Sequence, residues 1–133
     1  MKIEEFKKEK SRFINKCKKA KAVDGFLSKN EDIEKANFNG VYIIYKKSNG
    51  EVVYIGSAYT NKFKIKDRLH IHLKGHLSNA TIVKYLVEKE GMDIEMAKKE
   101  LREKYKFIAY PCESIEYKLM EEVKGLYNLK GMR

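Results

Sequence analysis

Apolar residues recur along this chain at two periods, and the switch between them divides it into elements. Ile3, Phe6, Phe13, Ile14, Cys17 and Ala20 return at helical spacing with lysines between them, which predicts a basic amphipathic helix over residues 1–21. Asp24-Gly25 breaks it. Ser28-Lys29-Asn30-Glu31 has the form of a capping box and predicts a short helix ending near Asn37. Residues 41–47 and 51–57 are rich in β-branched and aromatic side chains and flank Ser48-Asn49-Gly50, which predicts a hairpin. Loop length decides which side chains share a face. A two-residue turn pairs Tyr42 with Ser57 and puts Tyr42 and Tyr54 on opposite faces. A three-residue loop with Gly50 left-handed pairs Tyr42 with Gly56. Tyr42 and Tyr54 then share one face, and Val41, Ile43, Val53 and Ile55 share the other. This second register gives a clean apolar core face and is the one expected.

Ile65, Leu69 and Leu73 predict a helix over residues 64–74, on which Arg68 and His72, four apart, share a face. Ser78 or Asn79 is expected to cap the next helix, which carries Ile82, Val83, Leu86 and Val87 and stops at Gly91. A charged helix over 93–103, a strand over 105–110 ended by Pro111, and a last helix over 114–124 closed by Gly125 complete the series. The order predicts an α+β fold: a three-stranded, mainly antiparallel sheet flanked by helices. Residues 1–38 are expected as a basic helical extension packed on a domain of residues 39–133.

Composition narrows the function classes. With 133 residues, 43% of them hydrophobic, the chain suits one domain with one core and leaves no room for a second large recognition domain. No apolar run approaches the ~18 residues of a membrane helix. Met1-Lys2-Ile3-Glu4-Glu5 lacks the apolar stretch of a signal peptide, so a cytoplasmic protein is expected. Cys17 and Cys112 stand far apart without a Cys-x-x-Cys, so they read as small apolar residues and not as a zinc knuckle or a disulfide. A surplus of 29 Lys+Arg over 19 Asp+Glu gives a formal charge of +10. That balance suits a polyanionic partner or a lysine-rich solubilising surface, and composition does not separate them.

Gly40-Val41-Tyr42 is followed by Tyr54-Ile55-Gly56 and then Ser57-Ala58. Arg68 precedes His72 by four residues, and Gly75-His76 and Asn79 open the next helix. Glu116 precedes Asn128 by twelve residues, with Leu119-Met120 between and Tyr127 before the Asn. These elements, in this order from Gly40 to Asn128, resemble the GIY-YIG endonuclease family. The resemblance spans two thirds of the chain and leaves out residues 1–37. Two departures are visible. Val41 replaces the isoleucine of the family name, and Arg68 lies fourteen residues after Tyr54, with Thr60-Asn61-Lys62-Phe63-Lys64 resembling an insertion.

The resemblance implies a divalent-metal-dependent endonuclease that hydrolyses DNA, chiefly duplex DNA, with Mg²⁺ or Mn²⁺. Such hydrolysis needs an attacking water, charge relief on the phosphoryl oxygens and help for the leaving oxygen. In the family's pattern Tyr42 is the general base, although a free phenol, with a pKa near ~10, needs neighbouring positive charge to serve at neutral pH. His72 takes the Tyr42 proton or positions it, and Tyr54 orients water or phosphate. Arg68 offers its planar fork of donors to the phosphate. Glu116 holds the metal, whose octahedron water and phosphate complete. Gly56, Ser57, His76 and Asn128 bind substrate or support the site. A straight helix between Glu116 and Asn128 would rise ~18 Å, so Asn128 does not share the metal.

Each residue alone has a plainer reading. Tyr42 and Tyr54 suit strands as aromatic residues with a polar tip. Arg68 and His72 suit the wet edge of a helix, and Glu116 a first helical turn. Glu113, Glu121 and Glu122 are alternative carboxylates. The order and spacing of the set favour the site. A nucleic-acid-binding module that has lost catalysis and an RNA-directed nuclease are the competing functions. One site cuts one strand, so double-strand cleavage calls for a homodimer or sequential nicks.

Overall fold

The structure, a computed structural model, describes residues 2–9, 22–76 and 79–111. Within them β1 (Val23–Phe26), β2 (Gly40–Lys46), β3 (Val52–Ala58) and β4 (Tyr105–Pro111) form one antiparallel sheet in the order β1-β4-β2-β3. The helices are α1 (Ile3–Glu9), α2 (Asn30–Glu34), α3 (Ile65–Lys74), α4 (Thr81–Glu90) and α5 (Ile94–Lys104). The expected α+β class holds, but the expected count of three strands does not. Val23–Phe26 is a fourth, edge strand, with Val23 opposite Ala109 and Phe26 opposite Lys106. Four residues that include Asp24 and Gly25 carry little β propensity of their own, and pairing with β4 is what makes them a strand. The segment before Asn39 is therefore not purely helical. It also gives Leu27, Ile33 and Ala36 to the main core.

β2 and β4, the inner strands, are near-continuous apolar runs, as burial on both faces requires. On one face Tyr42, Ile44, Phe107 and Ala109 pack with Ile65 and Leu69 of α3, Ile82 and Leu86 of α4, and Leu101 of α5. On the other, Val41, Ile43, Tyr45, Ile108 and Tyr110 pack with Ile3 and Phe6 of α1. The Val41 face was expected to carry the core. Both faces carry one, and the larger lies on the Tyr42 side. The first turn of α1 is tied to the hairpin, where Ile3 N–H donates to the Gly50 carbonyl at 2.6 Å.

The hairpin has the expected register, with Tyr42 opposite Gly56 and Ile44 opposite Tyr54, reached by a different route. Tyr45 pairs with Val52, so Val53 stands opposite no residue and forms a bulge. Residues 47–50 make a four-residue loop closed by Lys46 N–H to the Glu51 carbonyl at 2.9 Å, and Gly50 takes the left-handed conformation with φ +74°. The bulge also moves Val53 from the expected Val41 face to the Tyr42 face, and Val52 takes the vacated side.

Helix starts differ in detail. Lys29, not Ser28, precedes α2, and no side chain caps it. α4 starts from Ala80, while the Asn79 and Ala80 N–H groups donate to the His76 carbonyl. α5 starts as expected on Asp93, whose carboxylate accepts from Met96 N–H at 2.8 Å. The expected helical stretch over 10–21 with Cys17, and everything expected beyond Pro111, including Cys112, lie outside the described residues. No helix among the described residues is long and apolar enough to cross a membrane.

Candidate active site

The site begins with a missing side chain. Gly56 of β3 sits opposite Tyr42 of β2, and the Tyr42 ring lies over it. A Cβ on Gly56 would stand 2.5 Å from Cζ and 2.6 Å from Oη of Tyr42, and 2.8 Å from Cε2 of Tyr54. Only glycine leaves room for both rings. Tyr54, two residues earlier on the same face, lies with its ring centroid 6.0 Å from that of Tyr42 and tilted by 31°.

The helix after the hairpin delivers the second half. Ile65 and Leu69 are fully buried and fix the face of α3 that meets the sheet, and His72 continues their stripe at 3% exposure. His72 Nε2 lies 2.9 Å from Tyr42 Oη, and its ring meets Tyr54 edge-on at 4.7 Å. Arg68, one turn earlier, is half-buried. The loop leading into α3, which resembles an insertion, is ordered by Asn39. The Asn39 amide donates to the Thr60 and Phe63 carbonyls at 3.1 and 3.2 Å, and Lys64 Nζ donates to Asn39 Oδ1 at 3.1 Å.

Burial, and then the Arg68 charge, lower the His72 pKa to about 4, so its imidazole is neutral at pH 7. Such an imidazole is a poor acceptor for a proton from a phenol, whose ordinary value is ~10. Between the two roles expected for His72, the geometry suits orienting Tyr42 better than deprotonating it. Its other nitrogen, Nδ1, is buried with no hydrogen-bond partner among the described residues. Arg68 Nε is in the same condition, and no carboxylate among the described residues pairs with the Arg68 guanidinium. The guanidinium carbon stands 5.1 Å from the centroid of the Phe63 ring. Tyr54 and Arg68 are half-buried and Tyr42 and His72 are buried, so the first pair forms the outer edge of the cluster.

The structure thus brings together Tyr42, Tyr54, Gly56 and His72, with Arg68 beside them. It does not bring Ser57 to them: Ser57 pairs with Val41 and points to the opposite face of β3. His76 is exposed beyond the Gly75 C-cap, and its ring makes no hydrogen bond among the described residues. His70 is held by Glu34 at 2.8 Å, and with Lys66 it lowers the Glu34 pKa. Glu116 and Asn128 lie outside the described residues, as do Glu113, Glu121 and Glu122. Among the described residues no three His, Cys, Asp or Glu side chains gather as metal ligands. Sequence reasoning missed Asn39 and Phe63. The one available signal was a lone aromatic in the polar run Thr60-Asn61-Lys62-Phe63-Lys64.

A cavity of about 430 Å³ opens elsewhere, lined among others by Lys46, Leu86, Met92, Glu100, Lys104 and Tyr105. Its lysines already pair, Lys46 with Glu51 at 3.3 Å and Lys104 with Glu100 at 3.3 Å. Comparison with known proteins gives no match, whether to a family model, a curated protein or a solved structure.

Proposed function

We propose that this chain is a divalent-metal-dependent endonuclease of the GIY-YIG type that hydrolyses DNA phosphodiester bonds. The observation that carries the reading is the meeting of Tyr42, Tyr54 and His72 over Gly56, with no carboxylate among the described residues paired to Arg68 at the cluster's edge. In this reading Arg68 binds the scissile phosphate and favours the extra charge of the transition state. Tyr54 orients phosphate or water from the outer edge. Tyr42 acts as the phenolate that the Arg68 charge and a bound metal favour, and takes up a proton from the attacking water, while His72 donates its Nε2–H to the Tyr42 oxygen and holds it in place. Mg²⁺ or Mn²⁺ on Glu116 supplies Lewis-acid charge relief when bound. The fourth strand β1 is an addition to the three-stranded sheet of this reading, on the edge away from the site.

The test is a supercoiled-plasmid assay with Mg²⁺, Mn²⁺ or EDTA on the wild type, Arg68→Ala and Glu116→Ala. Metal-dependent nicking is expected, with a loss of at least ~100-fold in both variants. Unchanged cleavage in both would refute the site. A second reading has its own observation. Tyr42 and His72 are 2% and 3% exposed, which also suits a structural pair inside a nucleic-acid-binding module that does not cut. Salt-sensitive binding without turnover in either metal would select it. An RNA substrate is separated from DNA by parallel digests.

A further inference from the structure

We propose that Phe63 is a stacking platform for an unpaired nucleobase next to the phosphate held by Arg68, an inference that rests on the nucleic-acid reading above. Phe63 is one of three large hydrophobic residues exposed among the described ones, at 36%, and the only aromatic among them. Its place is fixed by backbone bonds. The Phe63 carbonyl accepts from Asn39, and its N–H donates to Thr60 Oγ1 at 3.0 Å. A loop pinned at both the N–H and the carbonyl of Phe63 avoids the loop-ordering part of the cost of binding. The Arg68 guanidinium stands over the ring at 5.1 Å, and about a third of the residue is open to solvent.

The surroundings suit a nucleotide. Lys62, the residue before Phe63, is exposed and, like Arg68, has no carboxylate partner among the described residues. An exposed aromatic side chain with a guanidinium against its ring and a lysine next to it in sequence matches a base and its phosphates, because every base has a π-face and stacking tolerates any sequence. A base paired within a duplex does not offer that face to a side chain outside the helix. The platform therefore favours a bulge, a flap or a single strand over an intact duplex.

The experiment uses the full chain in EDTA, so that nothing is cut, and two duplexes that differ only in one 2-aminopurine, paired or bulged. Wild type is expected to bind the bulged duplex about tenfold more tightly and to quench its fluorescence. Phe63→Ala is expected to lose both the preference and the quenching, and Phe63→Tyr to keep both. Preference or quenching retained in Phe63→Ala overturns the inference. Equal binding of both duplexes by wild type overturns it while leaving the nucleic-acid reading intact. No salt-sensitive binding to either duplex overturns both.

Discussion

Gly56 and His72 are the two residues whose replacement tests the site most directly. Gly56→Ala puts a methyl group 2.5 Å from the Tyr42 ring, and that ring has no room to retreat because Tyr42 is 2% exposed. A loss of ~1–3 kcal/mol in urea unfolding is expected, together with loss of any cleavage. The pKa of His72 in the folded state, about 4, lies below the ordinary 6.5 of the unfolded chain. The unfolded chain therefore takes up this proton first as pH falls. The contribution is full above pH 6.5 and is lost between there and about 4. Its size is on the order of 3 kcal/mol. His72→Gln, which keeps a donor for Tyr42 but does not titrate, is expected to flatten that part of the stability–pH curve. An unchanged slope would mean that His72 is not buried as described. Tyr42 with Tyr54, and Arg68 with His72, were legible as pairs because strand and helix periods are local. That the two pairs meet is a tertiary fact, and it rested on family resemblance. The depth of Tyr42 was not legible, because alternation in β2 gives apolar residues on both faces and does not say which face carries more helices.

Among the elements, the β2–β3 hairpin shows a correct register obtained for an incomplete reason. Gly50 was expected to be left-handed and is, so Gly50→Ala is expected to cost about 1 kcal/mol, read from the urea midpoint. The bulge at Val53 had no signal, because Val52-Val53 offers two equivalent β-branched residues and either fits either face. Helices α3 and α4 were legible from their apolar stripes and α5 as a charged helix, and Gly75 and Gly91 end α3 and α4 with φ of +74° and +72°. β1 was not, because an edge strand as short as Val23–Phe26 exists only through its partner.

For the molecule as a whole, the positive charge on the described residues is not confined to the side of the candidate site. Lys29, Lys47 and Lys106 gather around the Phe26 ring at 5.1, 5.4 and 4.7 Å. Phe26 and Tyr45 both stand opposite Lys106, which puts this group on the α1 face, away from the Tyr42–His72 cluster. If DNA meets the cluster, Lys62→Gln is expected to reduce the salt dependence of binding by about one counterion, and Lys47→Gln to leave it unchanged. The reverse result in a salt titration would move the contact surface to the other face. The strand order also bears on how the chain comes off the ribosome. β4 is the last described strand to be synthesised, yet it lies between β1 and β2. Until Tyr105–Pro111 emerges, β1 has no neighbour and β2 carries a bare apolar edge of the kind that recruits other chains. The nascent protein thus holds the hairpin and helix of its candidate site for some time before it holds a sheet to set them in.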